Sequence, residues 1–576
     1  MKKSNLVYNI SCFLFRLNRQ IVNVFSFKSN SVGIYLLVVV FLSMTGCANL
    51  WKQTSNVEIK TQQQPKVFVV ILDALKRKTL MDSLDSLPNF KEIIKGRKND
   101  YPYIYFENVL VSIPSSSKPS NATLLTGMYP NTHGVPSTIW FNRKDQKVKA
   151  LNSISQRGII NMLKQTNTDT IFDYARRSKK TTMAVVTPVA KGVDGRDWIK
   201  QSVQLWGQAF CLNLIKDLNP IPDGAHLDRG TTQGLLKGHM YSFADGLEGK
   251  LRTNGDIPDL TLVHFVGLDI FTHYPRRFMV KENWTVDEIQ KWYLKKILDP
   301  ELEKIKTFLK KNQLFNNTIF CFVADHGQTQ IKTHIDEKSF EKSIADQFKV
   351  MGRPYSLNKA ELIIMPGAST KVLYVKNRLN TGWMMPPRLI EDVKPVVDAL
   401  IDIQTMKEHL NAILIAQYPN ERDEFPSTTG KSDKLLDPFW LFNLSQYRQS
   451  GRQHNDFLSA LGPLSKINEL VGNNLKAAYM YRRDFVRKNM PDIILINKPG
   501  DYFTPDKGKY AHHGSIYPED VYVSFIFSGP AIRKFSDKSL TITKAIDTVD
   551  LVPMVAHLSG IKIDRPIDGI NRLSEE

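Results

Sequence analysis

The sequence predicts an α/β protein with a central, mostly parallel sheet flanked by helices and a large helical insertion, or cap. Three observations carry this. Short apolar runs recur at 67–72, 181–186, 260–266, 318–324, 493–496 and 522–527, each bounded by turn or polar residues and separated by helical patterns, and buried strands alternating with helices build an α/β sheet. Three of these runs lead into an aspartate, and ligands in such sheets sit outside the carboxyl ends of the strands. The region 330–480 differs in character: it is rich in Lys, Asp, Asn and helical patterns, and holds Pro386-Pro387 and the polar stretch 421–434. We read an α/β core in two parts, 66–329 and 481–576, with the cap at 330–480 between them.

The chain has 576 residues, 42% hydrophobic and 23% charged. That composition excludes disorder, collagen and coiled coil. Lys+Arg 77 against Asp+Glu 57 gives a net charge of +20, which suits an anionic partner without choosing one; solvated lysines are the ordinary reading. No specific nucleic-acid motif is present.

Residues 1–46 read as a signal peptide. Lys2, Lys3, Arg16, Arg19 and Lys28, with no acid among them, precede the apolar run 32–42 and the small-residue sequence Ser43-Met44-Thr45-Gly46-Cys47, as in an exported precursor. The run is too short to span a bilayer comfortably. Met44-Thr45-Gly46-Cys47 resembles a bacterial lipobox, which implies cleavage before Cys47 and its diacylation, an uncleaved anchor being the alternative. Two fatty chains hold a protein stably at a membrane, so the expectation is an exported, membrane-anchored lipoprotein of the bacterial cell envelope. The polar residues 47–65 read as its tether. Of the four cysteines, Cys12, Cys47, Cys211 and Cys321, only the last two then remain as thiols, and no disulfide framework is legible. Cys321 falls within an apolar run and is expected to be buried.

The motifs follow in chain order. The run 67–72 ends in Asp73. After a strand-like stretch at 106–113 come Pro114, Ser115, Ser116, Ser117 and Pro119, then Gly127; Pro119 fits the first turn of a helix and Gly127 its end. Ser117 then sits at or just before the N-cap, where backbone N–H groups and the helix dipole favour an alkoxide and an anionic phosphoryl oxygen. The bland reading is that Ser115, Ser116 and Ser117 only cap that helix. The run 260–266 leads to Asp269 and His273, the run 318–324 to Asp325-His326-Gly327, and Ala511-His512-His513-Gly514 adds an imidazole late in the chain. Each alone reads as a cap or turn; together, three Asp and three His at strand ends make an N/O ligand set that suits Zn2+, and Mn2+ or Fe also. Six ligands exceed one tetrahedral zinc, whereas two ions about 3.5–4 Å apart can share them.

The order Asp73, Ser117-Lys118-Pro119-Ser120, Thr126-Gly127, Tyr129-Pro130, His133-Gly134, Asp269 with His273, Asp325-His326-Gly327 and His513-Gly514 resembles the alkaline phosphatase superfamily, and within it the type I phosphodiesterases and nucleotide pyrophosphatases. The resemblance spans roughly 66–326 and 491–569 and leaves the cap uncovered. It implies that Asp269, His273 and His513 hold one zinc, that Asp73, Asp325 and His326 hold the other, and that Ser117 faces both. It implies that His512 either supports the ligands from behind or packs, and that His133 is structural. Members of this branch usually carry Thr as nucleophile and an Asn beyond His-Gly that holds a phosphoryl oxygen; here the counterparts are Ser117 and Thr138. Sulfatases share a similar helix start, but Asn121 stands where they have Arg and Ala74 follows Asp73 where they pair aspartates. The implied activity is metal-dependent hydrolysis of phosphate esters, phosphodiester or pyrophosphate bonds above all, through a phosphoseryl intermediate at a two-zinc site. A small-molecule or lipid phosphate ester is the implied substrate, and Trp140 and Phe141 either stack on a base, line an apolar slot or pack in the core. The alternatives are a sulfatase or phosphonate monoester hydrolase, and a non-catalytic envelope lipoprotein that binds polyanions.

Overall fold

The computed structural model describes residues 64–574 apart from 152–156, 186, 188, 195–255, 276–282, 353, 380–381, 418–438, 471–490 and 505–507. The expected signal peptide, Cys47, nearly all of the tether, Cys211 and the polar stretch 421–434 lie outside the described residues.

The first long apolar run forms the strand Lys66–Leu72, buried along its whole length. It pairs in parallel with Leu260–Phe265 on one side and Thr318–Val323 on the other. Strands covered on both faces need no polar alternation, which is why these runs are continuously apolar. Across the sheet the order is Leu540–Ile542, Ile104–Leu110, Tyr522–Ser528, Thr318–Val323, Lys66–Leu72, Leu260–Phe265 and Thr182–Val185, with Ile546–Asp547 also on Ile104–Leu110. Tyr522–Ser528 runs antiparallel to both its neighbours; the other pairings are parallel. The expected sheet is therefore present, and Cys321 is a buried thiol within it, its pKa pushed up by burial.

Helix Asp299–Lys311 packs on Pro88–Lys95, and Leu551–Ser559 packs on Ser117–Thr126 and Ile171–Arg177. Pro88 opens its helix, and Phe90, Ile93 and Ile94 turn one face inward, the spacing of an amphipathic helix. The Asp299 carboxylate accepts the N–H groups of Asn89 and Phe90 at 3.0 and 2.9 Å, so a neighbouring helix supplies the cap. Glu92 accepts from Lys306 at 2.6 Å, from Arg97 at 2.7 Å and from Lys310. Burial alone would raise its pKa, but these cations outweigh it and hold the carboxyl at about 2. A depressed acid contributes stability above its unfolded pKa and loses it as pH falls through the folded one. Glu92→Gln is thus expected to cost about 1 kcal/mol at pH 7 after solvent screening, a melting-temperature loss of about 2 °C that vanishes as the pH approaches 2, read by thermal unfolding across that range.

The cap differs from the expected helical insertion. Its centre is a six-stranded sheet ordered Leu362–Met365, Thr370–Val375, Ile493–Asn497, Leu410–Ala416, Phe439–Phe442 and Leu461–Gly462, antiparallel throughout. The run 493–496, expected in the catalytic sheet, lies here between two cap strands, so the cap reaches past 480. Both faces of this sheet are covered, which erases the polar alternation that marks a half-exposed strand. One face, with Leu373, Val375, Ile493 and Leu495, buries against helices Glu337–Ala345 and Lys394–Asp402. The other, with Leu414, Ile494 and Ile496, packs on Leu110, Ile113, Ile516 and Tyr517 of the core.

Candidate active site

Helix Ser117–Thr126 begins at Ser117 and ends at Gly127, whose left-handed φ of 67° is natural to glycine. Ser116 precedes the helix in extended conformation and makes no side-chain cap bond, and the Ser115 hydroxyl donates to the Ser515 carbonyl at 2.8 Å. The Ser117 hydroxyl instead lies 3.0 Å from His326 Nε2. Plain capping is not what these serines do.

The parallel pairing of Lys66–Leu72 with Thr318–Val323 sets Ile71 beside Val323, which carries Asp73 and Asp325 to the same sheet edge. His326 follows, its Nε2 3.4 Å from Asp73 Oδ1 and 3.6 Å from Asp325 Oδ2. A carbonyl only accepts, so the 3.0 Å contact of His326 Nδ1 with the Gly327 carbonyl places the proton on Nδ1. Ligand atoms of Asp73, Asp325 and His326 all lie within 4.8 Å of one another. Gly327 is needed where it stands, because a Cβ there would meet the Glu519 carbonyl oxygen at 2.0 Å.

Leu260–Phe265, the other neighbour of Lys66–Leu72, feeds helix Gly267–His273. One helical turn separates Asp269 from His273, and Asp269 Oδ1 lies 3.2 Å from His273 Nε2 and 3.8 Å from His513 Nε2. His273 Nδ1 donates to the Ala511 carbonyl at 2.5 Å and His513 Nδ1 to that of Ser115 at 3.1 Å. Pinning Nδ1 to a carbonyl turns each Nε2 lone pair inward, as in rings that ligate metals. The His326 and His513 rings stack at 3.9 Å, interplanar 25°, and so join the two clusters.

Four side chains complete the arrangement that sequence reasoning passed over or placed in a lesser role. Asn121 donates its amide to Asp325 Oδ2 and to the Ser117 carbonyl, both at 2.8 Å. His264 sets Nε2 2.9 Å from Asp73 Oδ2; a lone imidazole in an apolar run was its only signal. Gln328 donates to Asp269 Oδ1 at 3.1 Å, with no sequence signal beyond its nearness to Asp325-His326. His512 joins His273 and His513 with ring nitrogens within 4.8 Å. Its Nδ1 accepts the His513 N–H at 2.9 Å, its Nε2 lies 3.2 Å from Lys509 Nζ, and its ring stacks on Tyr502 at 5.5 Å.

The electrostatics strain the protein alone. Burial, then Asp325 and Asp269, push the Asp73 carboxyl well above the usual range. Burial works the same way on Asp269, but His273 and His513 outweigh it and hold that carboxyl well down. Burial would lower His326, yet Asp325, Asp73 and Asp269 raise it to about 9. His513 falls well below its usual value through burial and then His326. Asp73 Oδ1 is buried without a hydrogen-bond partner, a costly state for a carboxylate. A cation between these carboxylates and imidazoles resolves both, and the N/O donor set fits a borderline transition metal.

The remaining residues singled out in the sequence fall elsewhere. His133 is buried, accepts the Val135 N–H at 3.1 Å and lies 3.1 Å from the Thr123 hydroxyl; burial holds it at about 3, so it is a neutral structural ring. Phe141 packs in the core against Tyr374 and Trp383 at 5.4 Å. Thr138 and Trp140 line a cavity of about 680 Å3 that also touches Ser116 and His513.

A mostly parallel sheet with carboxylates and imidazoles gathered at one edge, beside a serine that opens a helix, is the arrangement of the alkaline phosphatase superfamily. Residues 67–516 match the family described as type I phosphodiesterase / nucleotide pyrophosphatase. The chain belongs to that family and is a hydrolase acting on phosphate ester bonds; Asp73, Ser117, Asp269, His273, Asp325, His326 and His513 all fall inside the matched span. Among solved structures it is similar to an inactive murine ectonucleotide pyrophosphatase / phosphodiesterase 5 in complex with AMP, at 14% identity and TM-score 0.50, covering 88% of this chain and 98% of that one. The human counterpart gives 14% identity and TM-score 0.48, covering 88% and 97%. At such identity the likeness speaks for the fold alone. No curated protein matches the chain.

Proposed function

We propose that the chain hydrolyses phosphodiester or pyrophosphate bonds at a two-zinc site through a phosphoseryl intermediate on Ser117. The observation that carries this is the Ser117 hydroxyl 3.0 Å from His326 Nε2, at a helix start between two groups of metal-type ligands. Asp269, His273 and His513 would hold one zinc and Asp73, Asp325 and His326 the other; Mn2+ or Fe suits either set. Bound ions supply Lewis acidity, which lowers the pKa of a hydroxyl and neutralises phosphoryl charge. The chain supplies the rest. Ser117 Oγ attacks phosphorus in line and loses its proton, the ester P–O bond breaks, and the alcohol or phosphate departs with a proton. Water then cleaves the phosphoseryl bond and restores the hydroxyl. Lys118, next in the chain, stays largely protonated at neutral pH even though burial lowers it to about 8, and its charge with the helix N-terminus favours an anionic substrate. Thr138 is the proposed holder of a phosphoryl oxygen.

The substrate is a small-molecule or lipid phosphate ester. We further propose that the protein is exported and anchored in the bacterial envelope through diacylated Cys47; Cys47→Ala is expected to move it from the membrane to the soluble fraction, and retention in the membrane would refute the anchor. The function is tested on the full chain with zinc supplied, by turnover of bis-p-nitrophenyl phosphate, p-nitrophenyl phosphate and p-nitrophenyl sulfate. The diester is expected to lead. A lead for the sulfate would return the sulfatase reading, and Ser117-independent binding without turnover the polyanion-binding one.

A further inference from the structure

We propose that the cavity between the cap sheet and the core receives a hydrocarbon chain of the substrate, so that the esters cleaved here are lipid-like phosphodiesters rather than nucleotides; this rests on the reading of the Ser117 site given above. Ser116, Lys509, His513 and Gly514 belong to the wall of this cavity of about 680 Å3. Ser116 precedes the nucleophile and His513 is a candidate ligand, so a phosphoryl group on Ser117 has one esterified arm beside this space. Lys509, a cation, stands at the same end.

Around the rest of the wall hydrocarbon predominates, beside the hydroxyls of Ser137, Thr138, Thr370 and Thr504. Ile113 and Trp140 come from the core, and Val372, Tyr374, Ile494 and Phe503 from the cap. Val372 and Ile494 are register partners on adjacent strands, so they share one sheet face, the face that elsewhere packs on Leu110, Ile113 and Ile516. Protein interiors are close-packed, and apolar space left between two packed layers costs stability. It persists here beside the reacting serine, in the size range of ligand sites.

The wall chemistry selects the occupant. Among the described residues no Asn, Gln, Asp or Arg side chain lines it, and these are the groups that pair bidentately with base edges. Among the described residues its one carboxylate, Glu337, is paired with Lys371, a side chain with no exposed surface. Pro114, Pro136, Pro366 and Pro491 add no N–H. A base would find single hydroxyls but no bidentate partner for its polar edge among the described residues, which is penalised; an alkyl chain asks for none.

The test uses the full chain with zinc and a series of p-nitrophenyl alkyl phosphates from ethyl to hexyl, beside thymidine 5′-p-nitrophenyl phosphate. Each added methylene is expected to raise kcat/KM about threefold to fourfold, about 10²-fold across the series. Val372→Trp, which fills the cavity, is expected to collapse the hexyl-to-ethyl ratio, a readout that any overall loss of folded protein leaves untouched. Ser117→Ala separates binding from chemistry: hexylphosphonate is expected to bind it about 10²-fold more tightly than ethylphosphonate in calorimetry. A flat series with the ethyl ester still cleaved, or a thymidine ester that outruns the hexyl one, overturns the hydrocarbon occupant and leaves the phosphodiesterase reading intact. Equal phosphonate affinities overturn it whatever the turnover. Chain-dependent phosphonate binding without cleavage of any ester upholds the cavity and refutes the catalytic reading instead.

Discussion

Ser117→Ala is expected to lower kcat for a phosphodiester by about 10³-fold or more, with the melting temperature held within about 2 °C. The attacking oxygen is gone, and loss of a nucleophile removes more than any positioning contact does. The fold has little to lose, because the Ser117 side chain makes its contact through Oγ to His326 and the helix it opens depends on Gly127 and its own backbone bonds. Ser117→Thr keeps the hydroxyl and is expected to retain a measurable fraction of turnover. Acid quenching during turnover should leave a phosphate mass on the peptide that contains Ser117 in the parent and none in the alanine variant. Unchanged turnover in Ser117→Ala would end the phosphoseryl mechanism.

The second large effect concerns Asp73. In the protein alone its carboxyl is raised by burial and by Asp325 and Asp269, so neutralising it relieves like-charge repulsion; in the metal-loaded protein the same change removes a ligand. Asp73→Asn is therefore expected to melt about 2 °C higher than the parent in chelator and lower than the parent in zinc, with turnover down by about 10²-fold or more. The amide keeps the shape of the carboxylate beside His264, whose Nε2 stands 2.9 Å from Asp73 Oδ2, so the local packing is preserved. Thermal unfolding with and without zinc, beside metal content per chain, reads this crossing directly. A variant less stable than the parent under both conditions would mean that Asp73 is structural.

The legible parts of the chain were those where chemistry is local. Asp73, Asp325 and His326 directly follow apolar runs, and Asp269 with His273 has the spacing of one helical turn, so strand-end placement follows from periodicity and needs no knowledge of partners. The cap was misread because period 2 is visible only when one face of a strand meets water. Val372, Leu373, Tyr374 and Val375 alternate between two covered faces, and nothing in such a run names its sheet; Ile493–Asn497 lies in the cap for that reason.

Residue order alone determined the class of fold, the set of carboxylates and imidazoles and the serine beside them, because each is written in a few consecutive positions. Only the tertiary structure decided which groups meet. Ser115 and His513 lie hundreds of positions apart yet share a hydrogen bond, and His264, Asn121 and Gln328 matter through neighbours that the order and register of the sheet bring to them. The cavity belongs to the same category: its walls come from a core loop and a cap sheet whose distance in the chain carries no information about their distance in space. Local sequence encodes backbone preference and burial period, whereas a site is a meeting of side chains, and that is settled by register and packing.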